Sequence, residues 1–284
     1  MKNISIVILS FVSFALFAQK DNTLLYKISG KDLAKPSYIF GTVHITCDAT
    51  LDDSILKALN ETSQMYLELD MDDPQMQVNM MKSMSMKDGV TISSLISAED
   101  YKLLDDYLMS KMNVPAAVFN TYKPFMLSAV FMSTFLECTP QSFENELVRV
   151  STEQKEPIFG LETVEEQMAI FDEIPYQLQA EELIASIKND FQEDKKIFQM
   201  LMKSYASKDI NQLQKLMEES PSKIITDYNH LLLKNRNKNW IALIEKISKD
   251  KPTFFGVGAA HLFGDHGVLS LLRRDGYRVD PVLN

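Results

Sequence analysis

Pro252-Thr-Phe-Phe-Gly-Val-Gly-Ala-Ala-His261 decides how the chain folds. Residues 253–257 form a short apolar run, rich in aromatics and bounded by Pro252, which predicts a buried strand. Gly258-Ala-Ala-His261 follows at once. Val268, Leu271 and Leu272 then share one face of a short helix that stops at Gly276, and residues 277–282 return as a second strand. Strand, crossover and strand make an α/β unit. Ligands of open α/β sheets collect at the carboxyl ends of strands, and His261 stands there behind three residues too small to cover it.

The same word occurs near the other end. Residues 24–29 and 37–40 read as a hairpin with a long loop at 30–36, and the second strand runs straight into Gly41-Thr-Val-His44. Two of the chain's four histidines therefore sit three places after a glycine at a strand end. A short helix is expected over 51–60. Residues 65–70 then read as a strand whose alternation puts Glu68 and Asp70 on one face and Leu67 and Leu69 on the other. A carboxylate there faces water or belongs to a site, because burying it unpaired costs several kcal/mol. Pro157-Ile-Phe-Gly-Leu-Glu162 ends a further strand, and Thr163-Val-Glu-Glu166 reads as a capping box. Glu162 either complements the dipole of the helix that follows or joins the histidines.

The 284 residues, 45% of them apolar, suit one large globular domain or two joined halves. Residues 1–18 read as a secretory signal peptide, with Lys2 ahead of an apolar run from 4 to 17 that closes on Ala18. Residues 19–284 form the α/β domain, periplasmic or secreted. Losing Lys2 leaves 28 basic against 39 acidic residues, or −11. That surface repels phosphate backbones, so nucleic acid is excluded as the main partner. No membrane span is expected after signal cleavage. Cys47 and Cys138 would meet an oxidising compartment, where a disulfide between them, a buried thiol or a thiolate ligand at Cys47 are all open. Met76, Met80 and Met84 recur at four-residue spacing and predict adaptable apolar packing. Two large helical insertions are expected, at about 71–150 and 164–249, around a mainly parallel mixed sheet. Arg236, in a basic patch beside the sole tryptophan, could pair with an active-site acid or a substrate carboxylate.

Two strand-end imidazoles with Glu68 and Glu162 make a nitrogen and oxygen set suited to Zn, Mn, Fe or Co, and hydrolysis is the reaction class such a site performs. His-Glu-x-x-His, Gly-x-Ser-x-Gly and the glycine-rich nucleotide loops are absent from the sequence.

Tyr38-Ile-Phe-Gly-Thr-Val-His44, Glu68, Gly160-Leu-Glu-Thr-Val-Glu-Glu-Gln167, Gly256-Val-Gly-Ala-Ala-His-Leu262 and Gly276-Tyr-Arg-Val279 together resemble the TraB/GumN family, from about residue 24 to the end. Glu144, Arg236 and Asn237 fall in looser parts of the match. The resemblance implies an α/β fold shared with ChaN, a haem-binding protein, and with erythromycin-esterase-like (EreA) proteins. It also implies a peptidase that depends on a divalent metal, as in the TIKI metalloproteases, with Mn or Co as the expected ion beside the Zn that the donor set also suits, and a peptide or small molecule as substrate. The implied metal ligands are His44, Glu68, Glu162 and His261, with Glu68, Glu162 and Arg236 in catalytic roles. Which carboxylate is ligand and which is general base stays open. His266 is a second candidate, and His230 is expected to be structural. Two other readings use the same residues: a periplasmic protein that binds haem, metal or peptide without cutting, and a scaffold whose polar groups merely join its halves.

Overall fold

The structure, a computed structural model, describes residues 22–283. The expected signal peptide at 1–18 lies outside the described residues. Six strands, β1 (Leu25–Ser29), β2 (Ser37–Thr42), β3 (Met65–Leu67), β4 (Ile158–Gly160), β5 (Phe254–Gly258) and β6 (Arg278–Pro281), form one sheet in the order β4-β3-β5-β2-β1-β6. The four strands β4, β3, β5 and β2 are mutually parallel, whereas β1 runs antiparallel to both β2 and β6. The hairpin and the crossover read from the two ends of the sequence are both present. They bring β2 and β5 side by side, with Gly41 opposite Val257 and Thr42 opposite Gly258.

Central parallel strands are buried on both faces, and these are mainly apolar, with Ser37 and Thr42 as buried polar residues at the ends of β2. Phe40, Met65 and Phe254 point one way, to pack on Leu59 of α1 (Asp53–Asn60) and on Leu147. Ile39, Phe255 and Val257 point the other way, toward Trp240, Ile244, Leu269 and Leu272. The result is a sheet between two helical layers. Gly41 has a packing reason: a Cβ there would lie 2.7 Å from Leu262 Cδ1 and 3.1 Å from Ala259 Cα, so glycine lets the turn after β5 close onto β2.

Between β3 and β4 the chain forms α2 (Met76–Ser83), α3 (Ile92–Leu95), α4 (Ala98–Met112), α5 (Pro124–Met132) and α6 (Phe143–Gln154). Between β4 and β5 it forms α7 (Val164–Glu173), α8 (Tyr176–Lys188), α9 (Gln192–Ala206), α10 (Ile210–Glu218), α11 (Lys223–Asp227) and α12 (Asn235–Asp250), and α13 (Val268–Arg274) precedes β6. The fold is mixed α/β and mostly helical. The two helical tracts meet: Leu104, Leu108, Leu127, Phe131, Leu183, Ile184 and Phe191 form one cluster joining α4, α5 and α8. The last helix of each tract, α6 and α12, returns to the sheet, and these two carry Glu144 and Arg236. Met76, Met80 and Met84 pack with Met126 and Phe171 around Leu69, Val164 and Met168, as the spacing predicts.

One expectation needs correcting. β3 ends at Leu67, so Glu68 lies just past the strand end and not within an alternating strand to Asp70. The neighbouring backbone is still held in line, with Leu161 N–H donating to Leu67 O and Glu162 N–H donating to Glu68 O. These bonds place Glu68 and Glu162 side by side.

Candidate functional site

The carboxyl ends of β2, β3, β4 and β5 point to one side of the sheet, and each contributes a side chain. His44 follows β2, Glu68 follows β3, Glu162 follows β4 and His261 follows β5. The four predicted ligands therefore meet in one place. A Cβ built on Gly258 would lie 3.2 Å from Glu68 Oε1, 3.7 Å from His261 Cδ2 and 3.9 Å from His44 Nε2. The second glycine of the repeated word thus leaves open the space on which both imidazoles converge.

Arg236 fills the middle of the group. Its Nη2 donates to Glu68 Oε2 and Glu162 Oε1, its Nε donates to both oxygens of Glu162 at 3.1 and 3.2 Å, and its Nη1 donates to Leu232 O at 3.0 Å. The second Nη1 hydrogen goes to His261 Nε2, also at 3.0 Å. All five guanidinium hydrogens are used. Arg236 stands in the first turn of α12, directly after a π-helical turn at His230–Lys234 whose carbonyl at Leu232 it caps.

Those bonds settle the state of His261. A guanidinium can only donate, so Nε2 of His261 accepts and Nδ1 carries the hydrogen. Nδ1 donates to Asn237 Oδ1 at 2.5 Å, and the amide orientation of Asn237 is fixed by its Nδ2 donating to His266 O at 2.9 Å. Burial pushes the His261 imidazole down to about 3, with Arg236 adding to the effect against the pull of Glu68, so the ring is neutral at pH 7. Trp240 covers it, with ring centroids 4.5 Å apart, and also lies 4.9 Å under the Arg236 guanidinium.

The carboxylates differ. Burial raises Glu68, but the neighbouring His261, Arg236 and His44 and the Gly258 N–H, 2.8 Å from Oε1, outweigh it and hold the carboxyl down at about 2. Burial raises Glu162, more than Arg236 lowers it. Gln167, on α7, donates to Glu68 Oε2 at 3.1 Å and to Glu162 Oε1 at 3.0 Å, tying the pair together. The capping box read from Thr163 and Glu166 is formed and sets the register of that helix.

His44 stands at the mouth, with its side chain 71% exposed. Its Nδ1 lies 2.8 Å from Glu144 Oε1. Glu144, the second residue of α6, is fixed from both sides, accepting from Thr42 Oγ1 at 2.6 Å and from Ser142 Oγ at 2.7 Å. That hydrogen bond is the main cause that pushes His44 up to about 9. A disulfide joins Cys47, three residues after His44, to Cys138, six before Glu144, with Cα atoms 5.7 Å apart. Thr46 and Gln141 pair through their backbones beside it.

His266 does not reach the cluster. It lines a cavity of about 390 Å³ with Lys234, Asp265 and Asn237, and only its carbonyl contacts the site, through Asn237. His230 is exposed on the π-helical turn, with its Nδ1 3.2 Å from Asp227 O. Gln167 and Trp240 were not singled out for roles by sequence reasoning. Gln167 could have been found from the capping box, which places it one turn beyond the helix start.

A divalent ion would need Glu68, Glu162 and His261 Nε2, and these are the acceptors that Arg236 engages. Among the described residues no group of three or more His, Cys, Asp or Glu is arranged to hold a metal ion. The donor types suit a metal, but their arrangement around a bound guanidinium does not.

These features define a class: an α/β protein with paired strand-end imidazoles and carboxylates gathered around an arginine. The TraB/PrgY/gumN family matches residues 24–281, and the chain belongs to it. It is also similar to a protein named Metalloprotease TIKI2 from Danio rerio, at 22% identity over 323 residues, covering 93% of this chain. The chain spans 62% of the length of that relative. No solved structure matches.

Proposed function

We propose that this protein is a hydrolase that delivers water to a carbonyl, with a peptide bond as the substrate class. The observation that carries this reading is the His44–Glu144 pair, open to solvent beside a buried, charged floor. Glu144 holds Nδ1–H of His44, which leaves Nε2 free on the side of Gly258 and Glu68. Nε2 takes a proton from water as the water attacks the carbonyl carbon, and later returns it to the leaving group. The imidazolium formed is stabilised by Glu144 and by the floor, where Glu68 and Glu162 outnumber Arg236 by one charge. Arg236 and Gln167 keep the two floor carboxylates in place. Asn237 holds His261 in its neutral, accepting form.

The family and the name of the distant relative support hydrolysis of peptides. Export to the periplasm or beyond is supported by the apolar run at 4–17 and by the Cys47–Cys138 disulfide, since such bonds persist in oxidising compartments. No helix among the described residues is long and apolar enough to cross a membrane.

The test is a peptide library incubated with the purified, disulfide-intact protein and with the His44→Ala variant. Cleavage by the first and loss by the second is the expected result. A library left intact by the wild-type protein, with and without added Mn, Co or Zn, would sink the reading.

A further inference from the structure

We propose that Arg236 is the resident cation of this site, so that a divalent metal enters only in exchange for the guanidinium. The inference rests on the contacts and not on the hydrolase reading. Every hydrogen of the guanidinium is directed at an acceptor, and three of its partners, Glu68, Glu162 and His261, are groups that a metal would require. The Arg236 side chain is 13% exposed and the two carboxylates 10% and 9%, so the charges compensate each other with little help from water. Neutral His261 presents its Nε2 lone pair to the arginine, and that lone pair is the one a metal would take. Two cations cannot share these donors, since like charges a few ångströms apart in a desolvated site repel strongly.

Exchange also has a route. Arg236 sits in the first turn of α12, next to the π-helical turn, and Nη1 to Leu232 O is the bond that ties the guanidinium to that turn. The 390 Å³ cavity lined by Leu233, Lys234 and Asn237 adjoins the same segment and offers room for a displaced side chain. Trp240, the sole tryptophan, touches both Arg236 and His261, so its emission reports the exchange.

The experiment compares wild-type protein, Arg236→Lys and Arg236→Gln, each stripped of metal and checked for folding by circular dichroism. Each is titrated with Co²⁺ by calorimetry and visible absorption. Affinity is expected to rise from wild type to Lys to Gln, with at least about a tenfold gain for Gln, corresponding to about 1.4 kcal/mol. The gain should vanish when His261→Ala is added to Arg236→Gln. Equal affinity in wild type and Arg236→Gln overturns the proposal, as does a gain that survives loss of His261. A measurement on the wild-type chain covers the case in which the variants do not fold. Its Arg236 Nε–H resonance, guarded by Glu162, should persist wherever Zn²⁺ is unbound and disappear with the midpoint of Zn²⁺ binding. Zinc bound at His261 with that resonance intact overturns the exchange.

Discussion

His44 and Glu144, 100 residues apart in sequence, meet at 2.8 Å, and the carboxylate holds the imidazole at about 9. A base whose proton leaves only near pH 9 is mostly charged at neutrality, so the rate of any hydrolysis it drives should climb with pH until about 9 and then level. Glu144→Gln removes the charge and lets His44 fall back toward 6.5, its ordinary value. The rising limb is expected to move to lower pH while the plateau drops by about 10²-fold or more, because a weaker base is also less well oriented. Proton NMR titration of His44 beside the pH–rate profile checks both halves. A limb that stays put in the variant would show that another group supplies the base.

The disulfide yields a second expectation. Cys47–Cys138 closes a separation of 91 residues and clasps the two loops that bear His44 and Glu144. Replacing both cysteines by serine should lower the unfolding free energy by about 2–4 kcal/mol. It should also return the His44 titration toward its ordinary value, because the loops then lose their covalent link and keep only hydrogen bonds such as Thr46–Gln141 and Ala49–Gln141. Urea unfolding with and without reductant measures the first effect. An unchanged His44 titration would mean that Thr42 and Ser142 hold Glu144 without the clasp.

The two glycines of the repeated Gly-x-x-His word do different jobs, and alanine separates them. At position 41 a Cβ would press on Leu262 Cδ1 at 2.7 Å and on the backbone of Ala259, so Gly41→Ala should destabilise by about 1–3 kcal/mol through overpacking. At position 258 the nearest atom would be the carboxylate oxygen of Glu68 at 3.2 Å. Gly258→Ala should therefore cost activity, by tenfold or more, with a smaller loss of stability. Paired thermal melts and cleavage assays decide it, and the reverse ranking would refute the assignment.

Much of this was legible because strand ends announce themselves. Apolar runs that stop at Gly41, Gly160 and Gly256-Val-Gly258 put His44, Glu162 and His261 just past strand ends, where the structure has them, and parallel packing then brings those ends together. Glu68 was found for the wrong local reason, since the strand is too short to contain it and the Leu67–Leu161 and Glu68–Glu162 backbone bonds fix it instead. Arg236 was read as able to pair with an active-site acid, and it does so, but its bonds to Glu68, Glu162 and His261 together were not legible. A basic side chain in a long helical tract carries no local mark of which acids it will meet, and the π-helical turn that aims it has no clear sequence signal. The return of α6 to the sheet, which delivers Glu144, was hidden for the same reason.

Asp70 supplies the last expectation, away from the cluster. Its Oδ1 is buried without a hydrogen-bond partner, and burial, then Asp72 and Asp73, push its carboxyl up to about 6 from 3.8. The folded state thus holds a proton that the unfolded chain has released between pH 4 and 6. Stability contributed by that proton is present below about 4 and is lost as pH rises through about 6. Asp70→Asn keeps the shape and cannot ionise, so it should raise the melting temperature at pH 7.5 and leave it nearly unchanged at pH 4. Melting curves for both proteins across that range measure the difference, and equal gains at the two pH values would show that the carboxyl is already ionised without penalty in the fold.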